Sequence, residues 1–176
     1  MIGLVRAGAI LGGLCGVWLV AASQVPSHER LPLAAVVPRA VVTLPFGCTS
    51  LSLEPFDPFC PGGHIHTGID LAAPIGSEVR SATGGTARLG FDPSGAGLYV
   101  AVRADAQTRL LYCHLSAFRV RDGDTVVAGQ VVGLVGATGR ATGPHVHFEI
   151  QVDGASVDPA KWLAADPVLT GWVGAR

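Results

Sequence analysis

The chain has 176 residues, of which 49% are apolar and only 14% are Asp, Glu, Lys or Arg, with a formal net charge of −1. That balance excludes a highly charged disordered chain, and the lack of clustered Lys and Arg excludes nucleic acid as the main partner. Its 24 Gly and 12 Pro are scattered rather than periodic, which suits short strands joined by tight turns and excludes long helices through most of the sequence.

In chain order, the first predicted element is an N-terminal apolar helix. Arg6 precedes an uninterrupted apolar run over residues 7–22 that ends in Ala21, Ala22 and Ser23. This is the layout of an export signal, so residues 1–23 are expected to be a signal peptide or, if retained, a membrane anchor. Residues 2–22 are just long enough to span a bilayer as a tether. Cys15 does not mark a lipoprotein, because Leu14 stands where a small residue is wanted. The protein is therefore expected outside the cytoplasm, secreted or held on the cytoplasmic membrane. Residues 24–44, with three Pro and small apolar side chains, read as a linker with little structure of its own. The folded domain is expected over residues 45–163, with one helical turn near 159–163 and a C-terminal tail over 164–176.

Cys48 and Cys60 flank a short Pro-containing loop, and in an oxidising compartment they are the natural disulfide pair. Closing a loop of that size stabilises by about 3 kcal/mol in the chain-entropy model. Cys113 reads as a small buried strand residue. Strand-like stretches follow at residues 78–82, 86–91, 98–103, 108–114, 125–127, 131–135 and 145–152, separated by turn signals such as Asp92-Pro93-Ser94-Gly95 and Asp122-Gly123-Asp124. No window between residues 78 and 155 sustains a 3.6-residue apolar period, so the fold class is all-β and antiparallel.

Five of the six histidines fall in three clusters. In His145-Val146-His147-Phe148-Glu149-Ile150-Gln151-Val152, polar and apolar residues alternate strictly. A strand would project His145, His147, Glu149 and Gln151 to one face and bury the other four. His66-Thr67-Gly68-Ile69-Asp70 is the second cluster, in which Gly68 lets the backbone bend so that a His nitrogen and an Asp oxygen converge. Tyr112-Cys113-His114-Leu115-Ser116 sets a third histidine at the end of an apolar strand. Each cluster alone is weak. Together they offer two His and one Asp as a zinc shell with a fourth position open, and two more imidazoles for proton transfer and oxyanion stabilisation. The sequence has no Gly-x-Ser-x-Gly motif and no His-Glu-x-x-His helix.

These motifs, with the segment from Asp122 to Gly136 between the last two, resemble the lysostaphin-type zinc endopeptidases in the family's order over about residues 45–163. The resemblance implies antiparallel sheets forming a narrow groove with one Zn2+ at its floor. It assigns His66, Asp70 and His147 to the metal, and gives His114 and His145 the catalytic roles of base and oxyanion stabiliser, divided between them. Thr142 and Gly143 would shape the groove wall, and His64 has no motif role. The implied substrate is the peptide stems or cross-bridges of bacterial peptidoglycan. A catalytically inactive wall-binding or hydrolase-activating domain of the same fold is the alternative, although such a domain is expected to lose ligand or catalytic His, and here all five positions are filled. A lipoyl-type carrier hairpin is disfavoured, because Ala128-Gly129-Gln130 stands where a modifiable Lys is needed.

Overall fold

A computed structural model describes residues 30–165; the expectations for residues 1–23 and for the tail beyond 165 lie outside them. Thirteen strands and two short helices follow one another. They are α1 (Leu33–Val36), β1 (Val41–Leu44), β2 (Gly47–Thr49), β3 (His64–His66), β4 (Ile69–Ala72), β5 (Glu78–Arg80), β6 (Gly85–Asp92), β7 (Gly97–Arg103), β8 (Thr108–Leu115), β9 (Ala117–Phe118), β10 (Thr125–Val126), β11 (Val131–Leu134), β12 (His145–Val152), β13 (Ala155–Val157) and α2 (Pro159–Ala164). The main sheet runs β1-β4-β12-β8-β7-β6-β10, with β13 also paired to β12. Two smaller sheets, β5-β11-β9 and β2-β3, complete the architecture. Every pairing is antiparallel.

One face of the main sheet carries the core. Strand β12 buries Val146, Phe148 and Ile150 completely, while His145, His147 and Glu149 on the other face stay partly accessible. Tyr112 of β8 stacks on Phe148 with ring centroids 5.1 Å apart, and its phenol oxygen accepts the Ala82 N–H at 2.7 Å. Burial pushes the Tyr112 phenol up to about 12. The seven strands expected beyond residue 78 are all present with ends shifted by at most two residues. The Asp158 carboxylate caps α2 by accepting the Ala160 and Lys161 N–H groups, with Pro159 pre-set for the first turn.

The linker expected over residues 24–44 is corrected wherever the chain is described. Arg30 stacks over the Trp162 ring, 3.7 Å from its centroid, and donates to the Trp162 carbonyl at 2.9 Å. Leu31 N–H donates to Ala82 O at 2.8 Å. Val36 and Val37 are sealed into the core, and β1 adds to the main sheet beside β4. Pro and small residues give the segment the look of a spacer, but its apolar side chains find tertiary burial that a local reading cannot see. None of residues 30–44 lines the groove around Asp70, His114 and His147.

The main sheet is irregular where β7 meets β8. Leu98 stands opposite Leu115 and Val100 opposite Tyr112, so β8 advances three residues where β7 advances two. This is a β-bulge, and His114 within it adopts φ of 61°, a left-handed conformation. Strict alternation would put His114 on the core face with Leu110 and Tyr112. The extra residue gives that core position to Leu115, which is fully buried, and turns His114 to the opposite face. Bulges that re-aim a side chain concentrate next to functional sites.

Candidate metal centre and groove

Antiparallel pairing of β4 with β12 sets His147 directly opposite Asp70. β3 then brings in His66 through the Thr67-Gly68 turn. The glycine there is required by close approach: a Cβ on Gly68 would lie 2.5 Å from Phe148 O and 2.8 Å from the His147 ring. Three ligand atoms converge as a result. His66 Nε2 is 2.9 Å from His147 Nδ1 and 3.1 Å from Asp70 Oδ1, and His147 Nδ1 is 3.2 Å from Asp70 Oδ1. The same three residues form the one cluster of potential metal ligands among the described residues.

The tautomers decide what these contacts mean. His66 Nδ1 lies 2.9 Å from Pro45 O, an acceptor only, so it carries the proton and leaves Nε2 bare. His147 Nε2 faces Glu149 Oε2 at 3.5 Å, which favours N–H there and a bare Nδ1. With both histidines neutral, two nitrogen lone pairs and a carboxylate oxygen crowd around one point, an arrangement that repels itself unless a cation or proton sits between them. Zinc bonds of about 2.05 Å arranged tetrahedrally have ligand–ligand edges of roughly 3.3 Å. The observed triangle is close to one such face, so the donor set fits a divalent cation with nitrogen and oxygen preference. In the metal-free protein a proton substitutes. Burial lowers the His147 pKa, but hydrogen bonds to Asp70 and Glu149 outweigh it and bring it up to about 9. Burial works against the Asp70 carboxylate too, yet its bonds to His147 and His66 hold it well below the usual carboxylate range.

His114 and His145 lie side by side at the same floor, with ring centroids 4.7 Å apart. Each donates from Nδ1 to a backbone carbonyl, His114 to Thr138 O at 2.8 Å and His145 to Gly143 O at 2.9 Å. Those bonds fix the tautomer and leave both Nε2 atoms bare. His145 Nε2 is 3.7 Å from Asp70 Oδ1. Burial, opposed by the Thr138 carbonyl, lowers the His114 pKa to about 4, so this imidazole is neutral over the physiological range.

A groove of about 230 Å3 opens over these residues. Leu51, Leu53, Glu54 and Pro55 form one wall, Gly95, Ala96, Arg140 and Thr142 stand elsewhere around it, and Leu111, His145, His147 and Glu149 contribute to the floor. The 51–55 wall belongs to the loop closed by the Cys48–Cys60 disulfide, Cα–Cα 5.2 Å. His64, which has no place among the ligands, donates from Nδ1 to Glu54 O at 2.7 Å and so pins that wall. Cys113 is free and buried, and burial together with the Glu149 and Asp70 carboxylates raises its thiol to about 12, so it is not a nucleophile. The alternation of β12 puts Glu149 on the face of His147 but does not reveal it as that ring's partner. Its carboxylate collects Thr67 Oγ1 at 3.2 Å, Ser156 Oγ at 2.7 Å and Gln151 Nε2 at 2.6 Å. No local pattern signals this assembly, since Thr67 arrives from the turn between β3 and β4 and Ser156 from the middle of β13.

An antiparallel groove floored by two imidazoles, a carboxylate and two further bare imidazole nitrogens is the framework of a metallopeptidase. The chain belongs to Peptidase family M23, whose model matches residues 64–159. It is 42% identical over 106 residues to the DD-carboxypeptidase/endopeptidase Mpg of Neisseria meningitidis, a match that covers 60% of this chain and 24% of that protein. The chain thus spans about a quarter of that relative's length. The catalytic domain of lysostaphin from Staphylococcus simulans superposes with TM-score 0.59 and 30% identity, covering 72% of this chain and 93% of that domain. The catalytic domain of the prophage-encoded M23 protein EnpA from Enterococcus faecalis, a point mutant, gives TM-score 0.59 and 33% identity over 69% of this chain and 90% of that domain.

Proposed function

We propose that the protein is a zinc-dependent endopeptidase that hydrolyses peptide bonds in bacterial cell-wall peptidoglycan outside the cytoplasm. The observation that carries this reading is the convergence of His66 Nε2, Asp70 Oδ1 and His147 Nδ1 within 2.9–3.2 Å of one another beside two bare imidazole nitrogens. His66, Asp70 and His147 would hold the ion. When bound, zinc polarises a scissile carbonyl and makes water a nucleophile near neutral pH. The chain's own residues then divide the remaining work. His114, neutral and anchored on Thr138 O, can take a proton at Nε2 or pass it to the departing amine. His145, anchored on Gly143 O through Nδ1, is an acceptor at Nε2 while neutral and becomes a donor there once it takes a proton, so as an imidazolium it can face the charge that develops on the carbonyl oxygen. The 51–55 wall and Thr142 hold the peptide extended over the floor and limit water. Relatives named as a DD-carboxypeptidase/endopeptidase, a peptidoglycan DD-endopeptidase and an antimicrobial peptidase support the substrate class, and residues 2–22 would raise local concentration at the wall by tethering.

The test is digestion of purified sacculi by the full chain, with products read by mass spectrometry and metal content by elemental analysis. Cleavage of peptide bonds that is lost on chelation and restored by zinc is the expected result. A protein that binds sacculi, retains zinc and releases no peptide fragments would instead favour the inactive wall-binding reading.

A further inference from the structure

Beyond the catalytic groove, its floor continues into a second concavity of about 170 Å3, lined by Arg103, Asp105, Arg109 and Gln151 among others. The register shows how the two are joined. Glu149 stands opposite Leu111, both in the groove, and the next pair on the same face is Gln151 opposite Arg109. On the following strand Arg103 stands opposite Arg109. One sheet face therefore carries His147, Glu149 and Gln151 in file, and two arginines beside Gln151.

Directly opposed residues have Cβ atoms about 4.5–5.5 Å apart, and like charges at that spacing are destabilising. Elsewhere on this face the protein neutralises such a charge: Arg88 meets Asp122 at 2.9 Å. Among the described residues neither Arg103 nor Arg109 has an acidic partner at ion-pair distance. Arg109 donates only to the neutral Gln151 amide, at 2.6 Å. Asp105 lies nearby, but its carboxylate accepts the Gln107 and Thr108 N–H groups at 2.8 and 2.7 Å and is held to its own loop. Two uncompensated guanidiniums side by side in a concavity, one of them held by the Gln151 amide whose Nε2 is itself tied to Glu149 Oε1 at 2.6 Å, form a receptor for an oxyanion.

We propose that Arg103 and Arg109, the latter positioned by Gln151, form a substrate subsite that binds a free carboxylate of the peptide being cleaved. This rests on the endopeptidase reading and adds to it a preference for acidic stem peptides over uncharged bridges. The position suits that role. Four residues of β12 separate His147 from Gln151, about 13 Å, so an extended peptide with its scissile bond at the metal centre places a side chain or terminus three to four residues away over the arginines. A membrane surface is the less favoured source of anions, because the pair shares its face with the groove floor.

The experiment compares the full chain with the double variant Arg103→Gln/Arg109→Gln on soluble cross-linked stem-peptide dimers, native and after carbodiimide amidation of their carboxyl groups. The expected result is a KM for the native dimer raised at least about 10-fold in the variant, with kcat within about twofold and Tm unchanged or higher because the like-charge pair is gone. The amidated dimer should already show the raised KM with the wild-type protein, and the variant should add nothing. Equal KM values for both proteins on the native dimer would overturn the subsite while the cleavage itself upholds the endopeptidase. A KM rise of the same size on both dimers would overturn the charge recognition. Loss of sedimentation with phosphatidylglycerol vesicles at unchanged KM would reassign the pair to a membrane surface. Failure of the wild-type protein to cut either dimer would overturn the endopeptidase reading, and the subsite with it.

Discussion

Replacing Glu149 by Gln changes one atom, yet the structure ties that atom to the candidate metal site. The carboxylate accepts at both oxygens: Ser156 and Gln151 on Oε1, Thr67 and the His147 Nε2 edge on Oε2. An amide has a single acceptor oxygen. If that oxygen keeps Ser156 and Gln151, the amide NH2 faces His147 Nε2, and the two avoid a donor–donor clash only if the imidazole moves its proton to Nδ1. Nδ1 is the atom that points at His66 and Asp70, so the tautomer that relieves the clash is the one that cannot bind a cation. Removing such a carboxylate typically lowers metal affinity about 10–100-fold, and the 3.5 Å Nε2–Oε2 separation argues for the lower half of that range, about 1.4–2 kcal/mol. Competition against a chromogenic chelator measures the effect directly. At saturating zinc kcat should stay within a few-fold of wild type. Unchanged zinc affinity in Glu149→Gln would refute the tautomer argument, because the carboxylate would then be serving the fold alone.

His147, held at about 9 in the metal-free protein, must lose its proton when it binds a metal. Zinc binding at pH 7 should therefore release about one proton, and affinity should rise about tenfold per pH unit until roughly pH 9; titration calorimetry in buffers of different ionisation enthalpy counts the proton. The folded apo protein shows the converse, since a group whose pKa is raised on folding stabilises below its unfolded value and loses that contribution as pH climbs towards 9. His145→Ala should retain zinc and lose turnover by about 100-fold or more, read by elemental analysis and peptide release; full activity would remove it from the mechanism. His64→Ala should leave zinc binding intact and raise KM several-fold by freeing the Glu54 carbonyl and the wall it pins, which steady-state kinetics would show.

Sequence patterns are legible in this chain where they are local. Strand β12 is half-buried, so its alternation is a direct imprint of the two faces, whereas the choice of His147 over His145 to join Asp70 comes from the family resemblance and not from the alternation. The same rule misleads at β8: counting by twos puts His114 with Leu110 and Tyr112, and nothing in the spelling of Tyr112-Cys113-His114-Leu115 announces the bulge that turns it round. The carbonyls that select each tautomer, Pro45, Thr138 and Gly143, are invisible to any motif because a carbonyl has no residue type. Segment 30–44 fails as a spacer for a related reason, its burial being supplied by Ala82, Trp162 and β4 rather than by its neighbours in sequence.

That segment also packs as part of the folded unit. A fragment cut to start at residue 64, where the family match opens, would strip β1 from β4 and leave a row of unpaired backbone groups along the sheet's rim, a template for self-association. It would also delete the carbonyl of Pro45 that holds the His66 ring with Nε2 bare. Such a truncation should precipitate or bind metal poorly for reasons unconnected with its motifs. Dissection of this chain should leave segment 30–44 in place.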